Sequence, residues 1–519
     1  MSQPALDAAL EDWRRSLPPE AVLTGSELDP YHINCLSLDR VIPAALRPTS
    51  EADVLQIVQI ARRHKTRLYA FSTGHNWGYG TALPVADNCV LVDLSRMNRI
   101  LSMDPDLGLV TLEPGVTQKQ LYDYLAERGL DFFVPTTGAG PTASVLANAL
   151  ERGFGMTPIE DHFAAVTSLR AVLANGTVYQ PYMSGIGATT ADGVYKWGLG
   201  PYLDGLFTQS NFGIVTSAQI ALVRRPEHTE VFLFTQQRGT TLAAMVDACR
   251  EMMADLRGPL GGVKFLNRKQ VENTFGVAKV GPGFPEDYDW AAVGVLHGTR
   301  AMVPALRKGV RRGLQAQVSA LRFVNDEKIV WLRRLGSLAP GSLKRSLLDA
   351  AARVEQVMHI MHGNPRGLEL RLAYRYVPLP KAQPWDPVRD GVGIFWYAPV
   401  LPLKGEIITR LCDMAVATLG KYGFDQTISF TTLSERCAIG VVPIIYRKTE
   451  AEETKKAHEC FHTLWREGEA LGCPPYRINI AAMPELSDPA RSVYFQMVQA
   501  LKSALDPDDI LSPGRYGPS

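Results

Sequence analysis

A glycine-rich turn, Phe71-Ser-Thr-Gly-His-Asn-Trp-Gly-Tyr-Gly80, directly follows a short apolar run, Leu68-Tyr69-Ala70, that reads as a buried strand. Glycine lets a backbone bend through positive φ and come close to a ligand. Successive N–H groups in such a turn form a concavity suited to an anion such as a pyrophosphate. His75 sits in the middle, where an imidazole would touch whatever the loop holds. The turn is neither a G-x-G-x-x-G fingerprint nor a Walker loop, which argues against those two nucleotide folds. A tight strand-to-loop corner would need the same glycines, so the rest of the chain has to decide.

With 519 residues the chain is long enough for two or three domains and a large core. Its 54 Lys+Arg nearly balance its 53 Asp+Glu, so net charge points to neither nucleic acid nor an anionic membrane. Apolar stretches are too short to span a bilayer, and the acidic N-terminus lacks a signal-peptide pattern. The seven cysteines are scattered without a C-x-x-C. Such a set reads as reduced thiols in a cytoplasm, and no His/Cys spacing suggests a metal site.

In chain order the pattern is strand–helix alternation with short links, an α+β or α/β arrangement. A helix is expected over 5–15. Another, over 51–64, has Ser50 as cap and an apolar stripe of Val54, Ile57, Val58 and Ala61. Strands are expected at 89–94 and 108–115. Thr117 then opens a helix, with Gln120 completing a capping box and Gly129 closing it. The stretch 135–155 is rich in glycine and small residues and turns helical from Ser144. It suits either flat approach by a ring system or plain close packing. Residues 169–179 read as a hairpin with Asn175-Gly176 as a type I′ turn. Around Gly213, in Phe207-Thr-Gln-Ser-Asn-Phe-Gly-Ile-Val-Thr216, polar side chains cluster that need partners, from a ligand or a neighbouring loop. From about 228 to 470 the composition changes to longer helices and strands without glycine cradles. Strands are expected at 230–235, 291–298, 393–398 and 439–445. Helices are expected at 245–256, 303–321, 401–422 and 453–471. The tail at 490–515 returns to helix-then-turn chemistry and could pack back on the first part.

Taken together, Ser72-Thr-Gly-His-Asn-Trp-Gly-Tyr-Gly80, Leu112-Glu-Pro-Gly-Val-Thr117, the 200–216 segment and Leu505-Asp-Pro…Ile-Leu-Ser-Pro-Gly-Arg515 resemble the vanillyl-alcohol oxidase / p-cresol methylhydroxylase family over nearly the whole chain. The resemblance implies an α+β fold: a two-lobed FAD-binding domain with a central α+β cap domain. The implied bounds are 1–225 for the N-terminal part, 226–470 for the cap and 471–519 for the segment returning to the FAD domain. FAD contacts are implied at Ser72, Thr73, Gly74, His75, Asn76, Gly78, Tyr79 and Gly80. They continue at Pro135, Thr136, Gly138, Gly140, Ser144, Asn148, Arg152 and Gly155, and at Asn211, Gly213, Ile214, Val215 and Arg515. Tyr476 and Arg477 resemble the family's phenolate-binding pair, and Tyr79 its third contact. The chemistry is coherent: a phenol has a pKa of about 10, so binding its anion at neutral pH needs strong compensation. A guanidinium is always charged, and two tyrosine O–H groups can donate to the same oxygen.

Covalent attachment of FAD has two candidates, His75 and Tyr374, with His75 preferred and noncovalent FAD as the alternative. The cap segment 391–399 has no histidine and 136–155 no cysteine, so two of the family's other anchors are missing. Pro135-Thr-Thr-Gly138 lacks the acidic residue of the oxidases. Arg436-Cys-Ala-Ile-Gly440 departs from the family's cap motif, which favours a 4-alkylphenol larger than p-cresol. The expected activity is an FAD-dependent oxidase or dehydrogenase acting on a para-substituted phenol through a p-quinone methide. Oxygen or a cytochrome would accept the electrons, and the expected assembly is a cytoplasmic homodimer without nucleic-acid or membrane partners. Alternatives are oxidation of another alcohol or amine on the same fold, and a non-catalytic binding protein. Flavin absorbance on purification separates the last from the others.

Overall fold

Three sheets organise the chain. The computed structural model describes residues 3–156, 158–275, 280, 284–486 and 488–518. The first sheet holds β1 (Val22–Leu23), β2 (Ala45–Leu46), β3 (Leu68–Phe71) and β4 (Val90–Asp93), in the order β1-β2-β4-β3. β2 and β3 both run parallel to β4, and the helix Glu51–His64 crosses between them. That helix starts where expected: the Ser50 hydroxyl accepts from the Asp53 N–H, filling one orphan donor of the first turn. It buries Val54, Ile57, Val58 and Ala61. The Trp13 side of the helix Gln3–Ser16 joins the same core.

The second sheet contains β5 (Ile100–Asp104), β6 (Leu109–Leu112), β7 (Val166–Leu173), β8 (Val178–Tyr179) and β9 (Gly213–Ala221), ordered β5-β6-β9-β7-β8 and antiparallel throughout. The hairpin β7–β8 forms, but its turn is not type I′. Gly176 alone has positive φ (+78°), and its N–H donates to the Leu173 carbonyl. This is a type I turn closed by a left-handed glycine, the three-residue alternative for a hairpin. The capping box at Thr117 is half made. Thr117 accepts from the Gln120 N–H, but the Gln120 amide reaches the Asn98 carbonyl instead. Gly129 sits just past the helix Gln118–Glu127 with φ +63°.

The third sheet is the largest. It carries β10 (His228–Gln236), β11 (Leu260–Asn267), β12 (Trp290–Gly298), β13 (Val318–Val324), β14 (Val392–Tyr397), β15 (Val400–Pro402), β16 (Ser429–Thr432) and β17 (Cys437–Arg447). The order is β13-β10-β12-β11-β16-β17-β14, with β15 on β17. Successive side chains of a strand point to opposite faces. One face buries Phe232, Phe234, Phe265 and Phe430, the last two stacked at 4.5 Å, under the helices Leu242–Asp255 and Gly405–Tyr422. The opposite face meets the helix Gly341–Met361. The helix expected over 303–321 is two elements, Val303–Leu314 and β13. Val318–Val324 alternates inward and outward and so completes the sheet edge.

The tail crosses back to the first sheet. The Leu68 N–H donates to Ile510 and the Ser512 N–H to Leu68, both at 2.7 Å, so residues 510–512 extend the β3 edge. The buried Lys502 ammonium holds this return in place. It donates to the Asn211 and Leu511 carbonyls and pairs with Asp506 at 2.6 Å. All seven cysteines are free thiols. Among the described residues no helix is long and apolar enough to cross a membrane.

Candidate active site

A cavity of about 520 Å³ opens where the three sheets meet. Its first wall is the glycine turn after β3. Gly74 and Gly78 take φ of +71° and +77°, which aims the intervening side chains inward. Gly78 is required for a second reason: a Cβ there would stand 2.0 Å from Trp396 Cδ1, on β14. Trp396 itself lines the cavity. Gly78→Ala is expected to push Trp396 aside and lower the flavin content of the purified protein; an unchanged ratio of flavin to protein absorbance would contradict this.

His75 lies beside Trp77, ring centres 5.0 Å apart, with Nδ1 3.1 Å from the Thr142 carbonyl. A carbonyl can only accept, so Nδ1 carries the proton and Nε2 keeps its lone pair. Burial holds the imidazole below its ordinary pKa, against the opposing pull of the Asp386 carboxylate, so the ring is neutral at pH 7. The second wall comes from 136–155 and the third from 209–215. Both present small residues: Gly138, Ala139, Ala143, Ala147, Gly153 and Gly213. A flat ring system fits between such walls. Deeper in the same region the side-chain amide of Asn211 and the Nε2 of His162 are buried without partners.

At one end of the cavity a buried charge cluster gathers residues from four distant segments. The Arg477 Nε lies 2.9 Å from Glu151, its Nη2 donates to Asn76 at 2.5 Å, and its guanidinium covers the Tyr79 ring at 4.2 Å. Glu151 also pairs with Arg515 and accepts from the Tyr516 hydroxyl at 3.0 Å. The Tyr79 and Tyr476 side chains lie close enough to act on each other electrostatically. Two backbone bonds clamp the parts together, Ile480 N–H to the Tyr79 carbonyl and Tyr476 N–H to the Ala398 carbonyl, and the Gln209 side-chain amide donates to the Tyr476 carbonyl. Burial, above all, pushes Tyr79 well above, and Tyr476 above, the ordinary phenol range, so they stay donors. Burial alone would also raise Glu151, but the charges of Arg477 and Arg515 outweigh it and keep the carboxylate ionised. Burial works against the charge of Arg477, and the Glu151 carboxylate overrides it. Two guanidiniums therefore share one carboxylate, which leaves an excess positive charge at the cavity wall.

Most of the residues expected from sequence face this cavity: Ser72, Thr73, Gly74, His75, Asn76, Tyr79, Thr136, Gly138, Ser144, Asn148, Gly155, Gly213, Ile214, Val215, Tyr476, Arg477 and Arg515. Others do not line it, each for a visible reason. Gly78 packs under Trp396 and Gly80 against Ile480. Pro135 is buried behind the wall. Gly140 offers its carbonyl to Gln118. Arg152 turns to the Thr208 hydroxyl, and the Asn211 amide packs beside Gly517. Tyr374 is off the wall as well. Its hydroxyl donates to Asp390 at 2.5 Å and its ring packs on Trp385. Sequence reasoning missed Glu151, Tyr516, Trp396, Lys264 and Glu369. Glu151 and Trp396 lie within segments read for other features, 135–155 and 391–399, and only the crossing of distant segments marks the five together.

A glycine cradle and small-residue walls beside a buried cationic corner define an FAD-binding flavoprotein. An FAD binding domain model matches residues 42–180. The chain is 35% identical to the 1'-carboxy-chondrochloren decarboxylase of Chondromyces crocatus, over 92% of this chain and 90% of that protein. It is 30% identical to the 4-cresol dehydrogenase [hydroxylating] flavoprotein subunit of Pseudomonas putida, over 100% and 96%. The fold superposes on p-cresol methylhydroxylase with substrate bound at a TM-score of 0.85, with 28% identity, covering 100% and 98% of the two chains. It also superposes on the 4-ethylphenol oxidase of Gulosibacter chungangensis at 0.86, where 23% identity speaks for the fold alone. The chain belongs to the p-cresol methylhydroxylase family of FAD-dependent oxidoreductases.

Proposed function

We propose that the protein removes a hydride from the benzylic carbon of a para-substituted phenol held as its phenolate. The observation behind this is the excess positive charge of the Arg477–Glu151–Arg515 cluster, with the Tyr79 and Tyr476 hydroxyls beside it. Arg477 and the two tyrosines would hold the phenolate oxygen. Their fixed charge and donors keep it ionised in a site that excludes water, where such preorganised groups act most strongly. The phenolate then pushes electron density through the ring, and the benzylic C–H bond weakens toward hydride loss. FAD, when bound, supplies the two-electron acceptor. The substrate is left as a p-quinone methide, which water attacks to give a benzylic alcohol or which loses a neighbouring proton.

In this reading residues 72–80 cradle the FAD pyrophosphate, and 136–155 and 207–216 line the rest of the cofactor. His75 would be the covalent anchor through Nε2, the nitrogen that the Thr142 carbonyl leaves free. After acid precipitation the wild type is expected to keep its flavin in the pellet and His75→Ala to release it. Release from both would mean noncovalent FAD. The division into an FAD part (1–225), a cap (226–470) and a returning tail (471–519) belongs to the same proposal. So do a cytoplasmic homodimer, consistent with free thiols, and oxygen or a cytochrome as final acceptor. The test is anaerobic bleaching of the flavin by a panel of 4-alkylphenols; a silent panel would remove the phenol reading. A second reading, oxidation coupled to loss of a carboxyl group, takes its support from the name of the Chondromyces crocatus relative and from Lys264, a basic side chain on the cavity wall without an ion-pair partner among the described residues.

A further inference from the structure

The third sheet and the helix above it make much of the remaining cavity wall apolar, with Leu233, Leu266, Val293, Val354, Val357 and Met361 on it. Three ionisable side chains interrupt it, Lys264, Glu369 and the largely exposed Arg371. Lys264 lies on β11, between Val293 of β12 and Thr431 of β16. Ser429 shares the Thr431 face two residues along, and both reach the cavity wall. Glu369 lies in the 3₁₀ turn Leu368–Ala373, and a Cβ on Gly138 would meet its Cβ at 3.3 Å. It therefore abuts the small-residue wall. Burial, above all, lowers the Lys264 amine and raises the Glu369 carboxyl from their ordinary ranges, each opposed by the other's charge, and among the described residues they form no ion pair. Among the described residues the Lys264 amine has no hydrogen-bond partner at all.

An ammonium withdrawn from water and left unpaired is costly, and a chain that keeps one facing a cavity gains most when an anion enters. We infer that Lys264 receives a carboxylate carried on the para side chain of the phenolic substrate, with Thr431 and Ser429 as hydroxyl donors to its oxygens. This rests on the phenol reading above and narrows the substrate class to 4-hydroxyphenyl alkanoic acids. Arg477 takes the phenolate end and Lys264 the acid end. The apolar wall between them accommodates the hydrocarbon. One ammonium and two hydroxyls match the two oxygens of one carboxylate. Burial, above all, pushes the Glu369 carboxyl above its ordinary range, which weakens it as a competing anion.

The experiment uses the flavin-loaded enzyme and matched pairs: 4-hydroxyphenyl alkanoates with side chains of two to four carbons, and the corresponding primary amides. Anaerobic flavin bleaching gives rates, and perturbation of the flavin spectrum by unreactive 3-(4-hydroxyphenyl)prop-2-enoate and its amide gives dissociation constants. The wild type is expected to favour acid over amide at least tenfold in both. Lys264→Met should abolish that preference while leaving 4-ethylphenol bleaching within about twofold, and Lys264→Arg should restore it in part. Equal handling of acid and amide by the wild type would overturn the inference, as would equal losses for acid, amide and 4-ethylphenol in Lys264→Met. If 4-ethylphenol bleaches the flavin and no acid does, the carboxylate assignment falls and the phenol reading stands. If nothing bleaches it, both fall.

Discussion

Replacing Arg477 by methionine is expected to slow flavin bleaching by a 4-alkylphenol on the order of 10²–10³-fold, the loss typical of removing one preorganised charge-stabilising group. The side chain is nearly enclosed, with about 11% of its surface exposed. It is within reach of Glu151, Asn76 and the Tyr79 ring. Methionine fills much of the same space, so packing is largely kept while the fixed charge goes. A phenol bound there would then prefer its neutral form, which has little electron density to push toward the benzylic carbon. The rate of Arg477→Met should therefore rise with pH toward the free phenol pKa of about 10, where the wild type is flat. Stopped-flow bleaching across pH checks this. A variant with the wild-type rate and profile would show that Arg477 does not hold the phenolate.

The second large effect is expected at Glu151. Glu151→Gln removes the one carboxylate between Arg477 and Arg515, leaving two buried guanidiniums facing each other across a neutral amide. Breaking a buried ionic set in this way costs roughly 3–5 kcal/mol. The predicted result is a lower denaturation midpoint together with weaker flavin retention, because Arg515, Tyr516 and Arg477 all lean on Glu151. The pH dependence follows from the direction of the shift. The folded Glu151 carboxyl titrates below its unfolded value, so its stabilisation is complete above about pH 4.3 and is lost as pH falls through the folded value. Glu151→Gln has none of this to lose, so the two stability curves should converge in acid. Parallel curves down to pH 3 would assign the stabilisation to something other than this carboxylate.

Local elements were legible because local forces set them. Ser50 and Thr117 are helix caps in sequence and in space, since an N-cap needs only the next three residues. The 72–80 turn was readable because glycine at positive φ has few other uses. Errors fell where a local signal had two local solutions. Asn175-Gly176 serves a type I turn with a left-handed glycine as well as a type I′ turn, and the stretch after Leu314 continues a helix or starts an edge strand depending on its neighbour β10. The site was legible in part. Tyr79, Tyr476 and Arg477 were expected together, and they are together. Tyr374 was drawn in by its place in the chain, and its hydroxyl is turned toward Asp390.

By itself the sequence determined the glycine cradle, the caps, the α+β succession and the family, because each is written in contiguous residues or in their order. The tertiary structure alone decided that Glu151 stands between Arg477 and Arg515, that Trp396 occupies the space above Gly78, and that Lys264 faces a cavity unpaired. The physical reason is one of range. Backbone preference and capping act over a few residues. Charge neutralisation and packing act between whichever side chains the folded chain brings within a few ångströms, and here those come from segments hundreds of residues apart.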